Sequence, residues 1–390
     1  MDIVRRDSTT CCGIVPPHIL NALAGRREER GREERGGEER ARTDRVRAAA
    51  LRTLDQDATF RAQRAATRGL RRAGWGGGML AARAGRGAVG TGGLDRTIYD
   101  ANNTRRLPGS EVRAEGDPPT DDVAVDEAYD YMGDTYAFYS TAYERNSIDD
   151  AGMPLIGTAH YDVDYDNAFW NGSQMVYGDG DGEVFNRFTI SVDVIGHELT
   201  HGVTELEAGL MYRGQSGALN ESVSDVFGSL VKQAVLDQTA DQADWLIGQG
   251  LLTDQVNGVA LRSMAEPGTA YDDEALGGKD PQPADMSGYV HTAQDNGGVH
   301  INSGIPNRAF YLAAADIGGH AWESAGRIWY ETLLSPALRP FAQFSAFATL
   351  TVQTAQQLFG SSSKEAQSVR DAWDGVGVGV AARARFAVGM

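Results

Sequence analysis

The stretch Val194-Ile195-Gly196-His197-Glu198-Leu199-Thr200-His201 decides how the rest of the chain is read. His-Glu-x-x-His puts two imidazoles four residues apart, on one face if the segment is helical. Two such nitrogens are half of a zinc site, because a catalytic zinc takes three protein ligands in a roughly tetrahedral set and leaves the fourth position to water. On its own the pattern also fits an amphipathic helix whose histidines are exposed or hydrogen-bonded. The next helical-looking stretch, residues 217–227, offers Glu221 and Asp225 at the same four-residue spacing. One carboxylate can complete the metal set while the other accepts the spare ring N–H of a ligand histidine and fixes its tautomer. Glu221 is assigned to the metal and Asp225 to the histidine. Glu198 cannot point along with both histidines, since each helical residue turns the side chain by about 100°. It can still reach a metal-bound water, take its proton and pass it to a leaving amine. The chain has only seven histidines, and two of them at metal spacing ahead of an Asn-Glu-x-x-x-Asp run leave the plain amphipathic helix a poor account.

Composition sets the frame for this site. With 390 residues, 41% hydrophobic and 23% charged, the chain is long enough for two or three domains around a sizeable core and shows no membrane span. Residues 1–20 are interrupted by Arg5, Arg6, Asp7 and Pro16-Pro17 and lack the apolar run of a secretory signal, which leaves the cytoplasm or a signal-independent route of export. The only cysteines, Cys11 and Cys12, are adjacent, so no disulfide staples the body. Charge is uneven: residues 1–95 carry 19 arginines against 12 acidic residues, a surplus of +7, while the rest carries 17 basic and 42 acidic residues, or −25. A basic arm can serve nucleic acid, but here Glu-Glu pairs interrupt the arginines and aromatics are scarce. Pairing with the acidic body of the same chain is the expectation.

Along the chain, an apolar patch runs from Cys11 to Leu20, and residues 26–47 form an Arg/Glu/Gly tract that reads as a linker or marginal helix. An amphipathic helix is expected over 46–70, before glycines at 74 and 76–78 break it. The Gly-rich stretch 85–93 suits a protease-accessible boundary. Beyond it the pattern predicts short strands, a helix over 120–146, strands between 153 and 177, the helix carrying His197, and then mainly helices over 218–237, 302–318, 321–332 and 341–360. This gives an α+β protein with a β-rich first lobe at 96–205, a helical second lobe at 206–380, a pro-segment at 1–95 and a tail at 381–390, with the cleft between lobes.

Several longer motifs occur in the same order: Asn167-Ala168-Phe169-Trp170-Asn171-Gly172, then His197-Glu198-Leu199-Thr200-His201, Asn220-Glu221, and Asp295-Asn296-Gly297-Gly298-Val299-His300. Together they resemble the thermolysin family of zinc endopeptidases over roughly residues 97–380. The resemblance implies zinc on His197, His201 and Glu221, with Glu198 as the proton carrier. It implies Tyr212 and His300 as donors to the tetrahedral oxyanion, and Asn220, Asp225 and Asp295 as supports of the ligands and donors. Asn167 and Ala168 would pair with an extended substrate, Arg262 would fork onto a substrate carbonyl, and Phe188, Val194, Ile247, Leu251 and Leu261 would line an apolar pocket. That pocket favours a bulky hydrophobic residue just after the scissile bond. The short arm and the Cys-Gly-Ile-Val-Pro-Pro-His-Ile-Leu patch resemble protealysin-like precursors, implying an inhibitory pro-segment with Pro16, Pro17 and Leu20 in the pocket. Cys11 or Cys12 could reach the zinc as a thiolate, and two adjacent cysteines are as common as bystanders. Lys232 stands where relatives place an acidic calcium ligand, so its ammonium is expected to pair with Asp193, Asp244 or both. The double calcium site then looks lost, although calcium elsewhere stays open. The expected partners are protein or peptide substrates and the chain's own pro-segment, with no nucleic acid, no membrane and a monomeric state. Two rival readings are a catalytically silent zinc-dependent regulator, which the presence of Glu198 argues against, and a nucleic-acid binder using the basic arm.

Overall fold

The computed structural model describes residues 13–25, 37–72 and 93–380, with residues 61–72 described by backbone alone. Two helices come first, α1 (Pro17–Gly25) and α2 (Gly37–Arg72). Pro17 suits the first helical position, where a missing N–H costs nothing. The tract read as a linker or marginal helix is helical from Gly37 onward, and residues 26–36 lie outside the described residues.

A mixed five-stranded sheet follows, built from β1 (Arg96–Thr104), β2 (Ser110–Ala114), β3 (Leu155–Tyr161), β4 (Ala168–Trp170) and β5 (Met175–Tyr177). Their order is β2-β1-β3-β5-β4, so β4, which carries the Asn-Ala-Phe-Trp motif, forms one edge. β1 and β3 pair in parallel, which requires a crossover, and the helix α3 (Val123–Tyr143) supplies it. Asp122 caps that helix by accepting the N–H groups of Ala124 and Val125.

The second half is helical, with α4 (Val192–Leu206), α5 (Gly214–Val235), α6 (Asp295–Asn302), α7 (Gly304–Ile317), α8 (Ala325–Leu334), α9 (Phe344–Phe359) and α10 (Lys364–Gly375). The short pair β6 (Leu246–Ile247) and β7 (Arg262–Ser263) lies in the polar connection between α5 and α6. The expected helices are present with ends shifted by a few residues. Three were not expected: α1, α10, and α6, whose Asn296, Gly297 and Gly298 take positive φ and interrupt the helical pattern. The fold is therefore α+β with a β-rich first lobe and a helical second lobe. One contiguous apolar core includes Ile14, Ile19, Leu20 and Leu23 of the N-terminal arm together with residues of the sheet and of α4 and α5. Among the described residues no helix is long and apolar enough to cross a membrane.

Helices α4 and α5 lie at the centre, and α4 is buried from Val192 through Thr204. Their backbones approach closely because glycine faces glycine. A Cβ on Gly196 would sit 3.1 Å from the Gly228 Cα, and one on Gly228 would sit 2.4 Å from the Asp193 carbonyl oxygen. This approach lets short side chains of the two helices meet. Gly228→Ala must push α4 and α5 apart, at a cost of about 1–3 kcal/mol. Thermal melting should show that loss together with weaker metal retention in a chelator titration; a variant with wild-type melting and wild-type metal affinity would show that the close approach is unnecessary.

Candidate metal centre and cleft

His197 and His201 stand one turn apart on α4, and Glu221 reaches them from α5. The two Nε2 atoms are 3.0 Å apart, and each lies 3.6 Å from an oxygen of the Glu221 carboxylate. All three side chains are buried. Among the described residues this is the group of histidine and carboxylate side chains placed to hold a metal ion. The chemistry of the donors fits that role. His197 Nδ1 lies 2.8 Å from Asp225 Oδ1 and His201 Nδ1 lies 2.8 Å from Asn220 Oδ1. Nδ1 is therefore the protonated nitrogen on each ring, and both Nε2 lone pairs face each other and an anionic carboxylate. Burying such a convergence is costly unless a cation sits within it.

The supports of the site are themselves paired. Asp225 accepts Nε and Nη2 of Arg262, both at 2.8 Å, and Nδ2 of Asn307 at 2.8 Å. Burial alone would raise the Asp225 carboxyl, but Arg262 and His197 outweigh it and hold the group ionised, well below the usual range. The fork of Arg262 is thus spent on Asp225 rather than on a substrate carbonyl, and Nη1 remains for that carbonyl. Asn307 had no signal in the sequence, since 82 residues separate it from Asp225.

Three further groups face the metal ligands. Glu198 is fully buried, and its Oε2 accepts the backbone N–H of Trp170 at 3.1 Å, so β4 orients the carboxylate. Tyr212 donates its hydroxyl in a short hydrogen bond to Glu221 and lies 3.0 Å from His300 Nε2. Asp295 holds His300 Nδ1 at 2.7 Å. Burial pulls the His300 pKa down, but Asp295 and then Glu221 outweigh it and raise it to about 9, so both ring nitrogens carry protons at neutral pH. The kink at 296–298 that hid α6 from the sequence lets Asp295 turn back onto the imidazole of its own helix.

The five expected pocket residues, Phe188, Val194, Ile247, Leu251 and Leu261, are all buried in the main core. Leu251 and Leu261 close around Gly248, beside the β6–β7 pair that carries Ile247 and Arg262. The N-terminal arm lies along the same cleft. Gly13 bridges Phe169 in antiparallel fashion. The Ile14 N–H donates to the Ala168 carbonyl at 3.1 Å, and the Val15 N–H donates to Asn167 Oδ1 at 3.0 Å. Arg262 Nη1 donates to the Ile14 carbonyl at 3.1 Å. Asn167, Ala168 and Arg262 thus contact backbone groups of Ile14 and Val15, which belong to the chain's own arm. Asp57 of α2 holds Asn167 Nδ2 at 3.0 Å and the Tyr165 hydroxyl at 2.6 Å, a buried link with no local signal in the sequence. Pro16, Ile19 and Leu20 are buried, and Pro17 and His18 partly so. His18 meets the Tyr271 hydroxyl at 2.9 Å, and burial pulls its pKa down to about 4. Cys11 and Cys12 lie outside the described residues.

At the far end of α5, Lys232 is surrounded by oxygen. Its Nζ lies 3.0 Å from Asp193 Oδ2, 2.8 Å from Asp244 Oδ1 and 2.8 Å from the Leu246 carbonyl. Burial would lower its pKa, but Asp193 and Asp244 raise it instead.

Two family models cover most of the chain: "Thermolysin metallopeptidase, catalytic domain" over residues 91–205 and "Thermolysin metallopeptidase, alpha-helical domain" over residues 208–378. The chain belongs to the thermolysin family of metallopeptidases and is a zinc metalloendopeptidase. It is 61% identical over 286 residues to an extracellular metalloprotease of Pectobacterium carotovorum subsp. carotovorum, covering 73% of this chain and 82% of that protein. It is 56% identical to Protease PrtS of Photorhabdus sp. strain Az29, covering 74% and 77% respectively. The solved structure of the protealysin precursor, a metalloproteinase from Serratia proteamaculans, matches with a TM-score of 0.79 at 52% identity, over 94% of this chain and all of that one. This places the chain in the protealysin-like subgroup.

Proposed function

We propose that the cleft binds peptide chains extended along β4 and hydrolyses internal bonds, favouring a bulky hydrophobic residue after the scissile bond. We further propose that residues 1–95 are a pro-segment that occupies this cleft until it is removed. The observation that carries both readings is the pairing of Ile14 and Val15 with Asn167, Ala168 and Arg262, in which the arm makes the backbone contacts a substrate would make. The apolar lining at Phe188, Val194, Ile247, Leu251 and Leu261 supports the preference, because such a pocket rejects charge far more strongly than it separates one aliphatic side chain from another. Residues 96–205 and 206–380 are the two lobes of the catalytic body.

Each residue has a task in the hydrolysis. His197, His201 and Glu221 would hold the zinc, which when bound polarises the scissile carbonyl and makes water acidic. Glu198, aimed by the Trp170 N–H, takes a proton from the attacking water and delivers it to the leaving nitrogen. The protonated His300 donates to the oxygen that becomes negative, Tyr212 joins it by turning toward that oxygen the proton it otherwise gives to Glu221, and Asp295 keeps His300 charged. Arg262 Nη1 and Asn167 Oδ1 fix the register of the chain on the primed side.

Glu198→Gln keeps an oxygen for the Trp170 N–H but loses the proton carrier. Assayed after the arm is trimmed by an unrelated protease, the variant should retain metal and melting temperature while turnover falls by about 10²–10⁴-fold. Near-normal proteolysis by folded, metallated variant would contradict the assignment.

The Lys232 ammonium supplies, from within the chain, the positive charge that relatives take from calcium in this oxygen cage. With zinc held constant, millimolar calcium should raise the melting temperature of Lys232→Glu by more than it raises that of the wild-type protein. A large calcium-induced rise in the wild type that Lys232→Glu leaves unaltered would contradict this.

A further inference from the structure

The arm runs antiparallel to β4, and its direction has a chemical consequence. From Ala168 to Trp170 the edge strand advances toward Glu198, because the Trp170 N–H is the one that the Glu198 carboxylate accepts. The arm pairs Ile14 with Ala168 and sets Gly13 opposite Phe169. Passing from Val15 to Gly13 therefore also advances toward Glu198. On the other side, the Ile14 carbonyl is held by Arg262, whose guanidinium grips Asp225, which in turn holds the ligand His197. The next peptide carbonyl along the arm in that direction is that of Gly13, and it points away from β4, because the Ile14 N–H of the same planar trans peptide donates to Ala168. Gly13 permits this close approach: a Cβ there would lie 2.2 to 2.5 Å from the carboxamide atoms of Asn167. Ile14 is fully buried and joins the core that also contains Phe188, Val194, Ile247, Leu251 and Leu261, as a residue following a scissile bond should in this cleft.

We propose that the Gly13–Ile14 bond is held in the direction of a substrate and is a cleavage site of the chain's own active site, cut within the same molecule. The inference rests on the peptidase reading of Glu198 given above. In the reaction, the oxygen of a water molecule bonds to the Gly13 carbonyl carbon, and the Gly13–Ile14 C–N bond breaks. Glu198 takes a proton from that water and passes it to the Ile14 nitrogen. The products are a carboxylate at Gly13 and an amine at Ile14. No oxidant or second reactant besides water is needed. The cut does not free the cleft, because the arm beyond Ile14 stays fastened by Ile19, Leu20 and Leu23 of α1 in the core and by Asp57 of α2 on Asn167 and Tyr165. The nicked chain is therefore a folded and still blocked intermediate, distinct from the form released by cleavage in the Gly-rich stretch 85–93.

The test uses full-length zinc-loaded protein, wild type and Glu198→Gln, incubated over a wide dilution series and read by intact mass and N-terminal sequencing. The wild type should yield a chain beginning at Ile14 and a fragment ending at Gly13, at a first-order rate independent of dilution. Glu198→Gln should yield neither, even with trimmed wild-type enzyme added, because its bond is buried in its own cleft. Ile14→Leu should keep the cut, and Ile14→Asp should slow it by about tenfold or more. A rate that rises with protein concentration, or cleavage of the Glu198→Gln chain at this bond by added enzyme, would overturn cleavage within the molecule. A preparation that hydrolyses peptides once trimmed but never shows the Ile14 terminus overturns the proposal and leaves the peptidase reading standing. One that does neither overturns both.

Discussion

Two imidazole lone pairs and a carboxylate point at one another in the middle of this protein, with the two Nε2 atoms 3.0 Å apart. The neighbours fix that repulsive arrangement: Asp225 and Asn220 take the Nδ1 protons, so neither ring can turn its N–H inward. A cation resolves the conflict, and a good part of the central architecture serves to keep it in place. Gly196 and Gly228 bring α4 and α5 close enough for the ligands to meet. Arg262 and Asn307 neutralise and bond Asp225 in an interior where a lone carboxylate would be expensive. The same guanidinium keeps one N–H for the Ile14 carbonyl, so support of the ligand set and the register of the arm are joined in a single side chain.

The arm is held by two kinds of force with different jobs. Its arginines meet the acidic body at Arg42–Glu183, Arg45–Asp164 and Arg52–Asp164. These pairs are partly exposed, and such pairs contribute about 0–1 kcal/mol each. They guide the arm to the body more than they secure it. The securing contacts are buried: Ile14, Val15, Ile19, Leu20 and Leu23 in the core, the Asp57 link to Asn167 and Tyr165, and Phe60 with its ring centre 4.4 Å from that of Phe169 in a tilted contact. Dense apolar burial of this kind is insensitive to salt, whereas the charge imbalance read from the sequence is screened within about 10 Å at 0.1 M salt.

How much of this could be read from the chain follows from the range of each interaction. The ligands sit at helical spacing, so His197, His201, Glu221 and Asp225 were legible from local pattern, as was the ordering of the site by motifs around Asn167 and His300. Contacts that depend on tertiary closure were not. Asn307 reaches Asp225 across 82 residues, Asp57 reaches Asn167 across 110, and Arg262 reaches Ile14 across 248. Helix α6 escaped because its residues 296–298 have positive φ, which is a turn signal to any reading of local propensity. The Arg/Glu/Gly tract reads as a linker or a marginal helix, and from Gly37 it is part of a helix whose later turns bring Thr53, Asp57 and Phe60 onto β4 and the segments before it; packing against the sheet supplies what propensity does not.

The buried His197–His201–Glu221 convergence serves to hold one metal ion on which hydrolysis depends. The most direct measurement is elemental analysis of the purified protein alongside peptide hydrolysis of its trimmed form, before chelation, after chelation, and after zinc is returned. The expected result is one tightly held zinc per chain, activity that disappears as that zinc is withdrawn, and recovery in proportion to zinc restored up to a single equivalent. Folded protein that hydrolyses peptides at its full rate with far less than one equivalent of metal would contradict it.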